Sequence, residues 1–355
     1  MRLALLVLVL VLAGCGGHGR SFVVGAVEDA PKWNADAAAK AKAAGFQADV
    51  LSAVWQRGAS AQSEAGALRP AIASLGRAGV APVLAVYQLS SNTPVSEPDR
   101  QAFAAYAAGL VRALPQVQTV IVGNEPNLNL FWLPQFDAGG GDAAAASYEQ
   151  LLVATYDAIK QARSSVTVAG GALSPRGGDN PSASRQTHSP TRFIEDLGAA
   201  YRSSGRTKPL MDELDVHVYG ESPRIPPTFT HPRSTSIGIA DYGKLVALVK
   251  QAFGKELPIV YGEYGVETSI PAAKQSLYTG HEVVQPVDES TQARYYVEAI
   301  DLASCQKDVR ALYLFHVLDE QNLAGLQSGV YYADGSPKSS LPAVRQAIEH
   351  PKCRS

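Results

Sequence analysis

Two glutamates stand out by their positions: Glu125 in Val122-Gly123-Asn124-Glu125-Pro126 and Glu263 in Val260-Tyr261-Gly262-Glu263-Tyr264-Gly265. Each directly follows a short apolar run that reads as a buried strand. Two carboxylates at two strand ends suit the cleavage of a glycosidic bond. That reaction needs one carboxylic acid to protonate the leaving oxygen, and a second carboxylate across the sugar ring as nucleophile or as base for water. The chain must then supply a scaffold that brings the two positions together.

The elements for such a scaffold alternate along the sequence. Apolar runs at 22–27, 48–54, 81–87, 119–123, 167–171, 213–218, 258–262 and 311–315 are short and rich in Val, Ile and Leu. Most lack polar alternation, as expected of parallel strands covered on both faces. Between them, apolar residues recur at helical spacing over 35–44, 67–78, 98–114, 145–164, 191–203, 239–253, 290–304 and 341–350. Gly45, Gly79 and Gly254 stand where helices end. Eight such units in register predict the α/β class and a (β/α)8 TIM barrel, one domain over 22–355 with no second lobe. The segments after the strands (127–144, 173–190, 219–238 and 266–289) are longer than those after the helices, and barrel sites are built from that C-terminal face.

Composition fits this frame. Of 355 residues 46% are hydrophobic and 18% charged, enough for a large core, and the formal charge of −2 with no basic block argues against nucleic acid as a partner. Arg2 precedes an apolar run, 3–13, that is too short to span a bilayer and reads as an export signal. It ends in Leu12-Ala13-Gly14-Cys15, which resembles the lipobox of bacterial lipoproteins. The resemblance implies removal of 1–14, a lipid on Cys15, a tether over 15–21 and a mature protein held to a membrane in the cell envelope. An ordinary signal peptide with a coincidental cysteine is the alternative. Cys305 and Cys353 then remain, and an oxidising compartment makes one disulfide between them plausible; placed too far apart, they would be free thiols.

On this map Glu125 ends the fourth strand and Glu263 the seventh. Here the chain resembles the clan A glycoside hydrolases, most closely cellulase-like family 5 or xylosidase-like family 39, with the likeness running over nearly the whole mature chain. In that clan the acid/base follows an asparagine at strand four and the nucleophile ends strand seven. The resemblance implies Glu125 as general acid/base, Glu263 as nucleophile, Asn124 on the sugar 2-hydroxyl and net retention at a β-linkage. In Asp215-Val216-His217-Val218-Tyr219, alternation puts His217 and Tyr219 on the face of Asp215. Within the clan a histidine or tyrosine here orients the nucleophile or meets the sugar; a core histidine bonded to backbone is the other reading.

Trp55, Tyr87 and Trp132 lie just beyond their strands and are expected to face the ligand, although aromatic side chains are also ordinary core material. Tyr261, two residues before Glu263, should share its face and fill the barrel. Where many clan members carry a tryptophan after strand eight, this chain has Leu314-Phe315-His316-Val317, so Phe315 or His316 is expected to replace it. No Gly-rich phosphate loop, His-Glu-x-x-His helix or Gly-x-Ser-x-Gly elbow occurs. His188, His231 and His281 lack a shared ligand spacing, and neither a metal nor a cofactor is expected. A carbohydrate is the expected partner, and a glycan-binding lipoprotein without turnover is the alternative function.

Overall fold

A parallel strand needs a neighbour on each side and a covering on each face, and this chain satisfies both demands by closing on itself. The computed structural model describes residues 22–353; the expected export signal over 1–14, the expected tether and Cys15 lie outside the described residues. The strands are β1 (Val23–Val27), β2 (Ala48–Val54), β3 (Ala81–Tyr87), β4 (Thr119–Val122), β5 (Thr167–Leu173), β6 (Glu213–His217), β7 (Ile259–Tyr264) and β8 (Val309–Phe315). They form a closed barrel in sequence order, all parallel, with β8 returning to β1. The covering helices are α1 (Asp36–Ala43), α2 (Ala61–Ala78), α3 (Glu97–Ala113), α4 (Ala143–Ala162), α5 (Pro190–Ser203), α6 (Tyr242–Phe253), α7 (Glu289–Ser304) and α8 (Leu341–Glu349). The expected TIM barrel is the observed fold.

Local chemistry sets the boundaries. Helix α2 starts six residues before its apolar periodicity becomes clear, because Ser60 accepts the amide of Ser63 and caps the first turn. It ends at Gly79, whose φ of 74° is a left-handed conformation that costs glycine little. Ser96, Asp142, Ser189 and Asp288 cap α3, α4, α5 and α7 in the same way. The stretch 239–241 winds as a 3-10 turn before α6 begins.

Two apolar layers result. The larger lies between strands and helices, and a smaller one, including Val50, Val83, Ile121, Val260, Ala311 and Tyr313, fills the barrel. Tyr313 is the bulky member, and a Cβ at Gly25 would lie 2.6 Å from its ring. The expectation for Tyr261 is corrected: it belongs to the outer layer, with its hydroxyl donating to Gln306 Oε1. The cause is a bulge. His217 pairs with Glu263 while Val216 pairs with Tyr261, so β7 spends one more residue than β6 over the same step.

The ends of the chain are tied down. Glu28, just past β1, accepts the amides of Val317 and Leu318 beyond β8. Cys305 at the end of α7 forms a disulfide with Cys353, with Cα atoms 4.8 Å apart. The link closes a sequence separation of 48 residues, for which loop-closure entropy sets a ceiling of about 4 kcal/mol. Cys353→Ser is expected to lower the melting temperature measured by circular dichroism, and reductant should lower that of the wild type but not of the variant.

Candidate active site

Both glutamates reach the barrel mouth through backbone that departs from ideal strand. After β4 the chain turns at Gly123 (φ 88°), where a Cβ would lie 2.9 Å from the Tyr148 ring. Tyr148 fixes this corner by donating to Val122 O and accepting the amide of Gly171 from β5. Glu125 itself has φ 39°, and its amide is held by Ala172 O at 2.8 Å. A non-glycine residue in that region carries strain that the surrounding bonds must hold.

Glu263 arrives by the bulge in β7. Gly262 is the extra residue, and a Cβ there would lie 2.1 Å from Asp215 Oδ1. Without the insertion, strict alternation would turn Glu263 into the outer layer with Tyr261. With it, Glu263 faces the same space as Asp215, His217 and Tyr219 of β6 and the loop after it.

His217 lies between the two glutamates. Its Nδ1 is 3.0 Å from Glu125 Oε1 and 3.4 Å from Glu263 Oε2. Those oxygens therefore stand no farther apart than 3.0 plus 3.4, or 6.4 Å. Tyr219 donates its hydroxyl to Glu263 Oε2 at 3.0 Å. Burial pulls the imidazole pKa down, but Glu263 and Glu125 outweigh it and push His217 up to about 9. Burial also raises Glu263, which His217 and Tyr219 partly offset, and raises Asp215 to about 7. Near neutral pH the ring is a cation shared between two carboxyl groups, and a proton can be held at Nδ1 beside either one.

The mouth opens into a cavity of about 1160 Å³. Asn124, Glu125, His217, Tyr219, Glu263, Tyr87 and His316 all line it, so the structure brings these sequence-derived candidates together. His316 has φ 110°, with Nε2 3.2 Å from Glu320 Oε1 and its ring against Phe315. Two candidates are corrected. Trp55 is 1% exposed and stacks edge-on against Phe103, continuing the outward face of Leu51 and Ala53. Trp132 is fully buried against Tyr148, with its indole N–H donating to Ser147 Oγ. Asp319, beyond β8, is sealed in an ion pair with Lys338 at 2.7 Å.

Other lining residues went unnoticed in the sequence. Glu28 follows β1 as Glu125 follows β4, a signal that was present in Val27-Glu28-Asp29. Trp33, 74% exposed on the turn after β1, stands at the rim, and no periodicity marks it. Glu267, raised by burial to about 7, adds a further acid, and Arg176, whose guanidinium donates to Gly220 O, is the single lysine or arginine among the described lining residues. Among the described residues no group of three or more His, Cys, Asp or Glu side chains is placed to hold a metal ion.

No protein-family model matches the chain, and no curated protein matches it. Solved structures do. A GH5_18 protein from Streptomyces cattleya in complex with GlcNAc superposes with a TM-score of 0.63 at 16% identity, over 95% of this chain and 83% of its own. A GH5-4 broad-specificity endoglucanase from Clostridium longisporum gives 0.59 at 10% identity, over 89% and 86%. The β-glycosidase BGL167 gives 0.58 at 16% identity, over 92% and 88%. At these identities the likeness establishes a shared barrel over nearly the full length of both chains.

The fit of Asp215 against Gly262 yields two expected outcomes. Gly262→Ala should destabilise the fold by ~1–3 kcal/mol through overpacking, measured by denaturant unfolding. Asp215 and His217 both have raised values in the fold, so each favours a folded state that holds its proton. For Asp215 that stability is complete below the ordinary carboxylate range, near pH 4, and is lost as pH rises through about 7. For His217 the loss runs from about pH 6.5 through about 9. Wild-type stability should therefore fall between pH 5 and pH 8. Asp215→Asn should shrink that fall by ~2 kcal/mol, read from unfolding curves at the two pH values.

Proposed function

We propose that this chain is a retaining glycoside hydrolase acting on β-linked oligo- or polysaccharide, with Glu125 as acid/base and Glu263 as nucleophile. The observation that carries this reading is the placement of both carboxyl groups around one imidazole. An inverting pair leaves room for a water at roughly 6.5–9.5 Å, whereas a retaining pair stands about 5–5.5 Å apart. The 6.4 Å ceiling on the oxygens joined through His217 lies below the inverting range. The glycosidases among the superposed structures support the same class of chemistry on this barrel.

In the first step a Glu263 oxygen attacks the anomeric carbon while Glu125 gives its proton to the departing glycosidic oxygen. The bond to the aglycone breaks as the bond to Glu263 forms. In the second step Glu125 takes a proton from water, the water oxygen attacks the same carbon, and Glu263 leaves as a carboxylate. The Tyr219 hydroxyl and the His217 cation hold Glu263 in position and counter its charge whenever it is free. Asn124, beside Glu125 in the cavity, is assigned to the 2-hydroxyl. Tyr87, with Phe131 set edge-on against it, offers a flat wall to a sugar ring. We further assign 1–14 as an export signal and Cys15 as a lipid anchor at an extracytoplasmic membrane face.

Glu125→Gln and Glu263→Gln are each expected to lower kcat by about 10²–10⁴-fold without lowering the melting temperature. The direct test is mass spectrometry after exposure to 2-deoxy-2-fluoroglycosides of several configurations, with an adduct expected on Glu263. An adduct on another residue, or full turnover in either glutamine variant, would overturn the assignment. Glycan binding that survives both substitutions, in a wild type without turnover, would make the protein a glycan-binding lipoprotein.

A further inference from the structure

The barrel lays its helix C-termini on the face opposite the mouth, and each of α1 to α6 has a lysine or arginine in its last turn. The helix dipole accounts for such cations one at a time. The parallel arrangement then gathers them on one side. Lys42, Arg77, Arg112, Lys208, Lys250 and Lys255 are all exposed there. None of the six enters an ion pair among the described residues, while the acids of the same face already have cations: Asp157 pairs with Arg206, Asp212 with Lys160, Glu349 with Arg345, and Glu256 and Asp308 share Lys307. The mouth has the opposite sign: Glu28, Glu125, Glu221, Glu263, Glu267 and Glu320 line its cavity, and Arg176 is the single lysine or arginine among the described lining residues.

A second observation concerns where the chain enters the barrel. β1 begins at Val23 on the basic face. Residues 15–21 separate Cys15 from the first described residue, a stretch that reaches at most about 25 Å when fully extended. A lipid on Cys15 would therefore hold this face, and not the mouth, next to a bilayer.

We infer that the basic face docks on anionic phospholipid headgroups, so that the cavity opens away from the membrane. The inference rests on the lipid anchor proposed for Cys15. Attraction between a basic surface and an anionic leaflet acts within about a Debye length, about 8 Å at physiological salt. The tether is long enough to allow that contact and too short to let the barrel turn far from it. The acidic mouth is repelled by the same leaflet, so both ends of the charge asymmetry favour one orientation. Glycan substrates then approach from the aqueous side.

The test places a fluorescent label at Lys255→Cys on the basic face or at Val283→Cys, which lies in the loop after β7 on the mouth side and is 65% exposed. Full-length protein is bound to vesicles containing an acceptor lipid, made of phosphatidylcholine alone or with phosphatidylglycerol. With phosphatidylglycerol, the ratio of energy transfer at position 255 to that at 283 should rise at least roughly twofold over neutral vesicles. It should return to the neutral value in about 0.5 M salt, where screening is strong. A ratio that ignores lipid charge and salt overturns the docking.

The mass of the N-terminal peptide separates this inference from the anchor. A lipidated Cys15 with a charge-independent ratio overturns the docking alone. An unlipidated protein that sediments with phosphatidylglycerol vesicles and not with neutral ones supports the docking and overturns the anchor. Sedimentation of that protein with neither overturns both.

Discussion

Room for one carboxylate at the narrow end of the mouth governs much of what surrounds it. Asp215 points into the barrel from β6, and the space it needs is the space a side chain at position 262 would take. Glycine at 262 yields that space and also forms the bulge that shifts the pleat of β7 by one residue. Tyr261 and Tyr264 therefore lie in the outer layer on either side of it, while Glu263 turns inward to meet His217 and Tyr219. Had β7 kept a regular pleat, Glu263 would lie among the helices and Glu125 would face an empty wall. One missing side chain thus decides where a charged one goes.

The fold was open to sequence reading because eight short apolar runs and eight helical periodicities are each local patterns, and a closed parallel barrel is the arrangement that covers them all. The position of the two glutamates at strand ends was equally local. Side-chain direction at those ends was not. Alternation from Leu51 and Ala53 would have assigned Trp55 to the outer layer, and its place just beyond β2 misleads because the ladder continues through its amide to Tyr87 O. Trp132 is buried by a loop that folds back on α4, a tertiary event with no periodic trace. The inward turn of Glu263 needed the bulge, and a lone glycine in a strand pattern is the weak signal that could have announced it.

Burial at the mouth changes the character of its ionisable groups. His217, Asp215, Glu263 and Glu267 all have pKa values raised above the ordinary range, by burial for the carboxyl groups and by neighbouring carboxylates for the imidazole. Protons held there stabilise the folded state in mild acid and are shed as the medium becomes alkaline. The backbone adds its own tension at Glu125 and His316, both in conformations that favour glycine. Such a mouth is maintained by the rest of the barrel, whose interior cluster and outer layer pack beneath and around it.

The seam between β1 and β8 is tied across almost the full chain, since Glu28 holds amides 289 and 290 residues later in sequence. Until β8 is available, β1 and β7 each present an unpaired edge, and Glu28 lacks the donors that let its carboxylate be buried. A nascent chain shorter than this is an open sheet with two adhesive margins. Its last ninth, α8 and the loop before it, then covers a cylinder that has only just shut. Assembly of this protein is a race between closing that seam and pairing either margin with a stranger.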